Sequence, residues 1–240
     1  MVRSKRTGAV VFVIQRGRNM KEKARGCSGF ALKMTAVVTM TVDHVGKVFF
    51  PDCMWMTMIG RLAFPLFCFL LTEGFVHTGN IRKYLGRLFI FALISEVPFD
   101  WALHGKPFDW DAQNVFFTLF LGLFMLYLMQ LCRIRQALQA VIFLAAVALA
   151  VLLRTDYSGL GICFIFIFYQ FYYRKWLKFG LFAAVSLIVY LQAPQDYTSI
   201  LAVLPMIFYN GKRGISCKYF FYIFYPAHLL ILFVISRYIG

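Results

Sequence analysis

Asp43 and His44 stand side by side in the apolar run 30–50, and Arg61 stands in the next, 55–76. His44 is eight residues before Asp52 and Arg61 nine after it. In an antiparallel helical hairpin turning there, the two lie at nearly the same depth, about 12 Å from the turn at ~1.5 Å per residue. Their side chains can therefore share one cavity. A charge within hydrocarbon costs at least ~2.5 kcal/mol on insertion scales, so such residues face a cavity, a partner or a substrate path. Neutral imidazole near pH 7 both accepts and donates protons, which makes His44 a candidate general base. Asp43 projects about 100° away around the helix, toward a group other than the His44 ring. Pro65 has no amide hydrogen, so it frees the carbonyl of Arg61 and predicts a kink there.

Further polar groups fall at comparable depth and make up a candidate acceptor cavity: Glu96 and Asp100, Gln113 and Asn114, Asp156 and Tyr157, and Tyr225 with His228 in the segment Tyr225-Pro226-Ala227-His228. The plainer reading makes several of them helix caps and salt bridges, with Asp156 capping the sixth helix and Glu96 pairing with Arg61. No metal is expected, because neither His44 nor His228 belongs to a ligand-spaced pair. The six cysteines show no CxxC or CxxH spacing.

A second group lies at the other end of the second apolar run. Glu73 and His77 are one helical turn apart and share a face, and Arg82, Lys83 and Arg87 follow at once. Together they form a polar mouth with a cationic rim, suited to a polyphosphate such as the nucleotide end of coenzyme A. Ordinary basic flanking of a membrane helix is the alternative.

The elements that must position these residues follow from composition. Of 240 residues 61% are hydrophobic, and mean hydropathy is +0.72, too apolar for a soluble domain. The chain reads as all-α, a polytopic integral membrane helix bundle. A span needs roughly 20 mostly apolar residues, and the apolar runs give nine candidate helices, at 30–50, 55–76, 84–103, 114–132, 136–153, 157–173, 177–192, 198–210 and 218–238. The formal charge of +15 would suggest nucleic acid in a soluble protein. Here the basic residues sit between apolar runs, which excludes a nucleic-acid partner and marks topology and lipid contact. Of the 25 Lys and Arg, only Lys47, Lys106, Arg154 and Arg237 fall in outer segments when the N-terminus is placed inside. Residues 1–29 read as a basic cytoplasmic tail and 30–240 as a single transmembrane domain. No internal repeat is visible.

VDHVGKVFFP, GRLAFPLFCFLLTEGF, QNVFF, DYSGLGI and YIFYPAHLLIL, in this order, resemble segments of the TraX family of membrane proteins. The likeness covers about residues 30–238 and is most specific at Asp43-His44, Gly60-Arg61 with Phe64-Pro65, Tyr157 with Gly159, and Tyr225 with His228. That family is named for a conjugation protein that acetylates pilin and is related to the transmembrane acyltransferases. The resemblance implies a multi-pass protein of the bacterial cytoplasmic membrane that transfers acetyl from acetyl-CoA to an amine or hydroxyl acceptor. In those terms Asp43, His44 and Arg61 are the catalytic group, with Arg61 or Asn114 steadying the developing oxyanion, and Glu73, His77, Arg82, Lys83 and Arg87 hold the acyl-CoA donor. The competing reading is a proton-coupled transporter or exporter, with Asp43, His44, Glu96 and Asp100 as a proton relay.

Overall fold

A computed structural model describes residues 26–132, 135–190 and 194–239. Most of the basic tail, together with Arg133 and the end of the seventh expected helix, lies outside the described residues. Among those described the chain is all-α, with no strand and two isolated bridges, Cys27 with Tyr209 and Gln113 with Thr155.

The helices are α1 Gly29–Phe49, α2 Met54–Gly60, α3 Ala63–His77, α4 Ile81–Leu103, α5 Val115–Leu131, α6 Gln136–Leu152, α7 Ser158–Gln170 and α8 Lys175–Tyr190. A 3₁₀ helix, Pro194–Ala202, then leads into α9 Val203–Ile207, and α10 Lys218–Ile239 ends the fold. Two features differ from the sequence expectation. The second expected span is broken at Arg61-Leu62, where Pro65 brings no amide hydrogen to the Arg61 carbonyl and the α2 ladder gives way to α3. The eighth is largely 3₁₀, in a stretch that opens on Pro194 and carries Thr198 and Ser199.

Helix starts follow local chemistry. Ser28 caps α1 by accepting from the Ala31 amide (3.2 Å), Asn80 caps α4 through Lys83 (2.9 Å), and Asn114 caps α5 through Phe116 (3.0 Å). The other exposed amides at the start of α1 are taken by the loop before α10: Gly29 donates to the Lys212 carbonyl (2.8 Å) and Phe30 to that of Arg213 (2.9 Å). Cys27 and Asn210 add a pair of backbone bonds across the same junction.

Packing partners run α1–α3–α7–α5–α4–α10 and back to α1, a closed ring. α6 lies outside it against α5 and α7, and α8 lies against α7 and the 3₁₀ helix. One continuous core of buried apolar side chains joins the ring. The outward faces are also apolar: on α6, Val141, Leu144 and Leu152 are 58%, 63% and 77% exposed, and α10 shows Ile223, Ile231 and Val234. Soluble monomers rarely expose apolar surface on this scale. Two helical segments, Met54–His77 and Tyr219–Tyr238, are long and apolar enough to cross a membrane.

Gly60 closes the contact of α2 on α1. A β-carbon there would overlap the Asp43 side chain, standing 2.7 Å from its Oδ1. Overpacking at a tight contact costs ~1–3 kcal/mol. Gly60→Ala is expected to lower the thermal denaturation midpoint in detergent. Gly180→Ala on α8, where a β-carbon meets nothing within 4 Å, should leave it unchanged or raise it slightly.

Candidate functional site

α1 carries one inward stripe. Gly29, Lys33, Val37 and Met40 line one cavity of about 590 Å³, and Met40, Asp43, His44 and Lys47 line a second of about 420 Å³. The first is the cationic cavity and the second the histidine cavity. They share four wall residues: Met40, Phe67, Val115 and Tyr225.

His44 is buried, and its Nδ1 lies 2.7 Å from Nε2 of His228, the rings nearly parallel at 5.0 Å between centroids. His228 Nδ1 lies 2.9 Å from the Phe224 carbonyl. A carbonyl only accepts, so His228 Nδ1 carries a proton and donates it there. Neutral His228 then has a bare Nε2, and His44 Nδ1 must donate to it. Two bonds thus fix both tautomers and leave Nε2 of His44 as a lone pair. Among the described residues no group donates to that nitrogen, and His44 lines the histidine cavity.

The carboxylates around it have partners. Asp43 takes Lys47 at 2.7 Å through Oδ2, while its buried Oδ1 accepts no hydrogen bond among the described residues. Asp156 and Tyr157 face the same cavity from the turn between α6 and α7. That turn places three non-glycine residues, Arg154, Tyr157 and Ser158, at positive φ of 50°, 59° and 43°. Such backbone costs about 1–3 kcal/mol per residue and persists where surroundings over-determine it. Here the Gln113 amide donates to the Arg154 carbonyl (3.0 Å), Asp156 donates to Gln113 (2.8 Å), and the Thr118 hydroxyl donates to the Asp156 carbonyl. Burial holds the Asp156 carboxyl above its ordinary value, against the pull of Lys47 and Arg61. Asp156 does not cap α7, since the cap residue is Tyr157, with no side-chain cap bond.

Arg61 follows α2 and is not part of the wall of the histidine cavity. Its guanidinium stands 5.9 Å from the centre of the Tyr157 ring and bonds the Tyr157 hydroxyl, and Phe64 stacks on that ring at 3.8 Å. Glu96 pairs with Asn114 instead of Arg61. Asn114 also donates from Nδ2 to the Ala92 carbonyl at 2.8 Å. Asp100, fully buried, accepts from the Asp109 amide (2.9 Å) and approaches His104 Nδ1 (3.4 Å). Gln113 serves through its backbone at the α6–α7 turn. The histidine cavity thus gathers Asp43, His44, Asp156, Tyr157 and Tyr225, with His228 behind His44. Lys47 and His104 also line it, and neither was singled out from the sequence. Lys47 lay open to view, one turn after His44 on the same stripe.

In the cationic cavity the structure brings together Glu73, His77, Lys83 and Arg87, and adds Lys33, Arg213, Tyr84 and Tyr222. Glu73 accepts from the Tyr172 hydroxyl at 3.2 Å. Arg82 stands apart and bonds the Tyr127 side chain. Among the described residues no group of three or more His, Cys, Asp or Glu could hold a metal ion.

The profile of the family described as "TraX protein" matches residues 28–236. A probable fimbrial assembly protein, FimC of serogroup H1 from Dichelobacter nodosus, is 29% identical over 235 residues, 85% of this chain and 94% of the relative. A TraX protein of Escherichia coli is 24% identical over 219 residues, 85% of this chain and 86% of its own length. The TraX protein of Escherichia coli strain K12 is 31% identical over 88 residues, 36% and 34% of the two chains. No solved structure matches.

Nitrogen-15 NMR of histidine-labelled protein near neutral pH, assigned with single substitutions, is expected to show Nδ1 protonated and Nε2 bare in both His44 and His228. A protonated Nε2 on either ring contradicts the hydrogen-bond chain.

Proposed function

The chain belongs to the TraX family, and we propose that it is a membrane-bound acyltransferase, moving acetyl from acetyl-CoA to an amine or hydroxyl acceptor. The bundle sits in the bacterial cytoplasmic membrane as about nine spans with the N-terminus cytoplasmic. The cationic cavity then opens to the cytoplasm and the histidine cavity to the outer side. The observation that carries the reading is the His44–His228 pair. It leaves a lone pair on His44 Nε2 in a cavity that shares walls with a second one lined by Lys33, Lys83, Arg87 and Arg213.

Each cavity supplies one half of the chemistry. The cations suit the phosphates of coenzyme A, since Arg and Lys make charge-assisted bonds to phosphate oxygen. His44 Nε2 takes the acceptor's proton as its nitrogen or oxygen attacks the thioester. His228 keeps the imidazole in the required tautomer and disperses the charge that forms on it. Asp43, held by Lys47, adds negative potential beside the imidazolium. The relative named for fimbrial assembly makes a pilus-type subunit the first acceptor to try.

Acetyl-CoA is expected to raise the denaturation midpoint of the detergent-purified protein, because a ligand that binds only the folded state stabilises it. His44→Ala should retain that shift while turnover falls by about 10²-fold or more. Lys83→Ala or Arg213→Ala should weaken donor binding by roughly 10-fold, from loss of one charge-assisted bond. Arg82→Ala, whose side chain faces Tyr127, should weaken it far less. Flux of a solute in vesicles with no acyl transfer would replace this reading with the proton-coupled transporter.

A further inference from the structure

Acyl transfer needs a donor for the negative charge that gathers on the thioester oxygen, and neither side chain singled out from the sequence for that task is placed for it. Asn114 spends its amide nitrogen on Ala92 and Glu96 and its oxygen on capping α5. Arg61 is bonded to Tyr157, outside the wall of the histidine cavity.

We propose that the Tyr225 hydroxyl, its oxygen accepting from the backbone amide of Val115, is the catalytic donor to the thioester oxygen; this rests on the acyl-transfer reading above. Of the four residues common to both cavities, Met40, Phe67 and Val115 have apolar side chains, and Tyr225 alone brings a polar one. Tyr225 is 4% exposed. Its ring meets His44 edge-on at 6.1 Å, His228 at 5.6 Å and Phe116 at 5.1 Å, so the phenol is held in one orientation beside the base. Asn114 takes the amides of Phe116 and Phe117 through its side chain and carbonyl. The Val115 amide, first in α5, donates to the Tyr225 oxygen. Among the described residues no carbonyl or carboxylate takes the phenolic proton, which is therefore available to a ligand at the seam.

The step balances with the donor and acceptor alone. As the acceptor's nitrogen or oxygen bonds to the thioester carbon, its proton goes to His44 Nε2. The carbonyl π pair moves onto oxygen, where Tyr225 O–H holds it. On collapse the carbonyl re-forms, the C–S bond breaks with its electron pair on sulfur, and the proton on His44 passes to the thiolate.

The test compares wild type with Tyr225→Phe by turnover, by the donor-induced thermal shift, and by isotope-edited infrared of bound acetyl-CoA labelled with carbon-13 at the carbonyl. Loss of one oxyanion donor lowers kcat by about 10²- to 10³-fold. That fall is expected with KM and the thermal shift unchanged. The carbonyl band should lie below its solution frequency in wild type and return to it in the variant. Wild type that binds and turns over acetyl-CoA beside an unimpaired Tyr225→Phe overturns this inference alone. Wild type that neither binds nor turns over acetyl-CoA overturns the acyl-transfer reading and this inference with it. Should Tyr225→Phe fail to fold, the wild-type spectrum decides, and an unshifted band there overturns the proposal.

Discussion

The hydrogen bond from His44 to His228 joins the first helix of the ring to the last across 184 residues. A buried imidazole without a partner is costly in an apolar surround, and each of these two supplies the other's. The bond therefore fixes more than a side chain. It sets α1 against α10 at one level, while the backbone bonds of residues 27–30 to the loop at 208–213 set them at another. With both in place the ring closes around the space of the histidine cavity. The same bond, continued to the Phe224 carbonyl, chooses the tautomer that leaves a base facing that space. Closure of the fold and readiness of the site are one event.

A second constraint operates across the cavity. Three left-handed residues in the α6–α7 turn would relax if the turn were free. They are held by the exchange of backbone bonds with Gln113 and by Thr118. Tyr157 is then held by the Arg61 guanidinium and by the stacked Phe64 ring, and Gly161 must lack a side chain because a β-carbon would meet Thr118 and Phe64. Arg61 acts here through Tyr157 and Asp156. An intramembrane arginine can be worth its desolvation by shaping a wall, without touching what the wall encloses.

How much of this was legible in the sequence depended on the range of the interaction. Helix positions followed apolar periodicity, and the caps Ser28, Asn80 and Asn114 are local signals. The placement of His44 near the α2–α3 break came from counting residues to one turn, which works because a hairpin is short. The break at Arg61 followed from Pro65, though the proline stopped the helix where a kink was expected. The partnership of His44 with His228 could not be read, because no local rule relates α1 to α10. Lys33 could have been found, since it falls at i, i+4, i+7 and i+11 with Val37, Met40 and His44, the stripe of a single helix face. Arg213 could not, as its place depends on the loop folding back onto the start of α1. Arg82 shows the limit of reading charge runs: adjacent to Lys83, it points about 100° away around the helix and ends on Tyr127.

The seam between the cavities carries the last constraint. On the acyl-transfer reading proposed above, a thioester held beside a general base is exposed to hydrolysis whenever water reaches it, so water must be kept from the base until an acceptor displaces it. The shared walls meet that need: Met40, Phe67 and Val115 are apolar, and Tyr225 offers one hydroxyl pinned by three aromatic neighbours. Polar chemistry is kept to either side, cations with Glu73 in one cavity, imidazole with carboxylates in the other. A single continuous aqueous channel would bring water and both reactants together along its whole length. On that reading the reacting bond lies at the shared wall, where the His44 imidazole and the Tyr225 phenol converge.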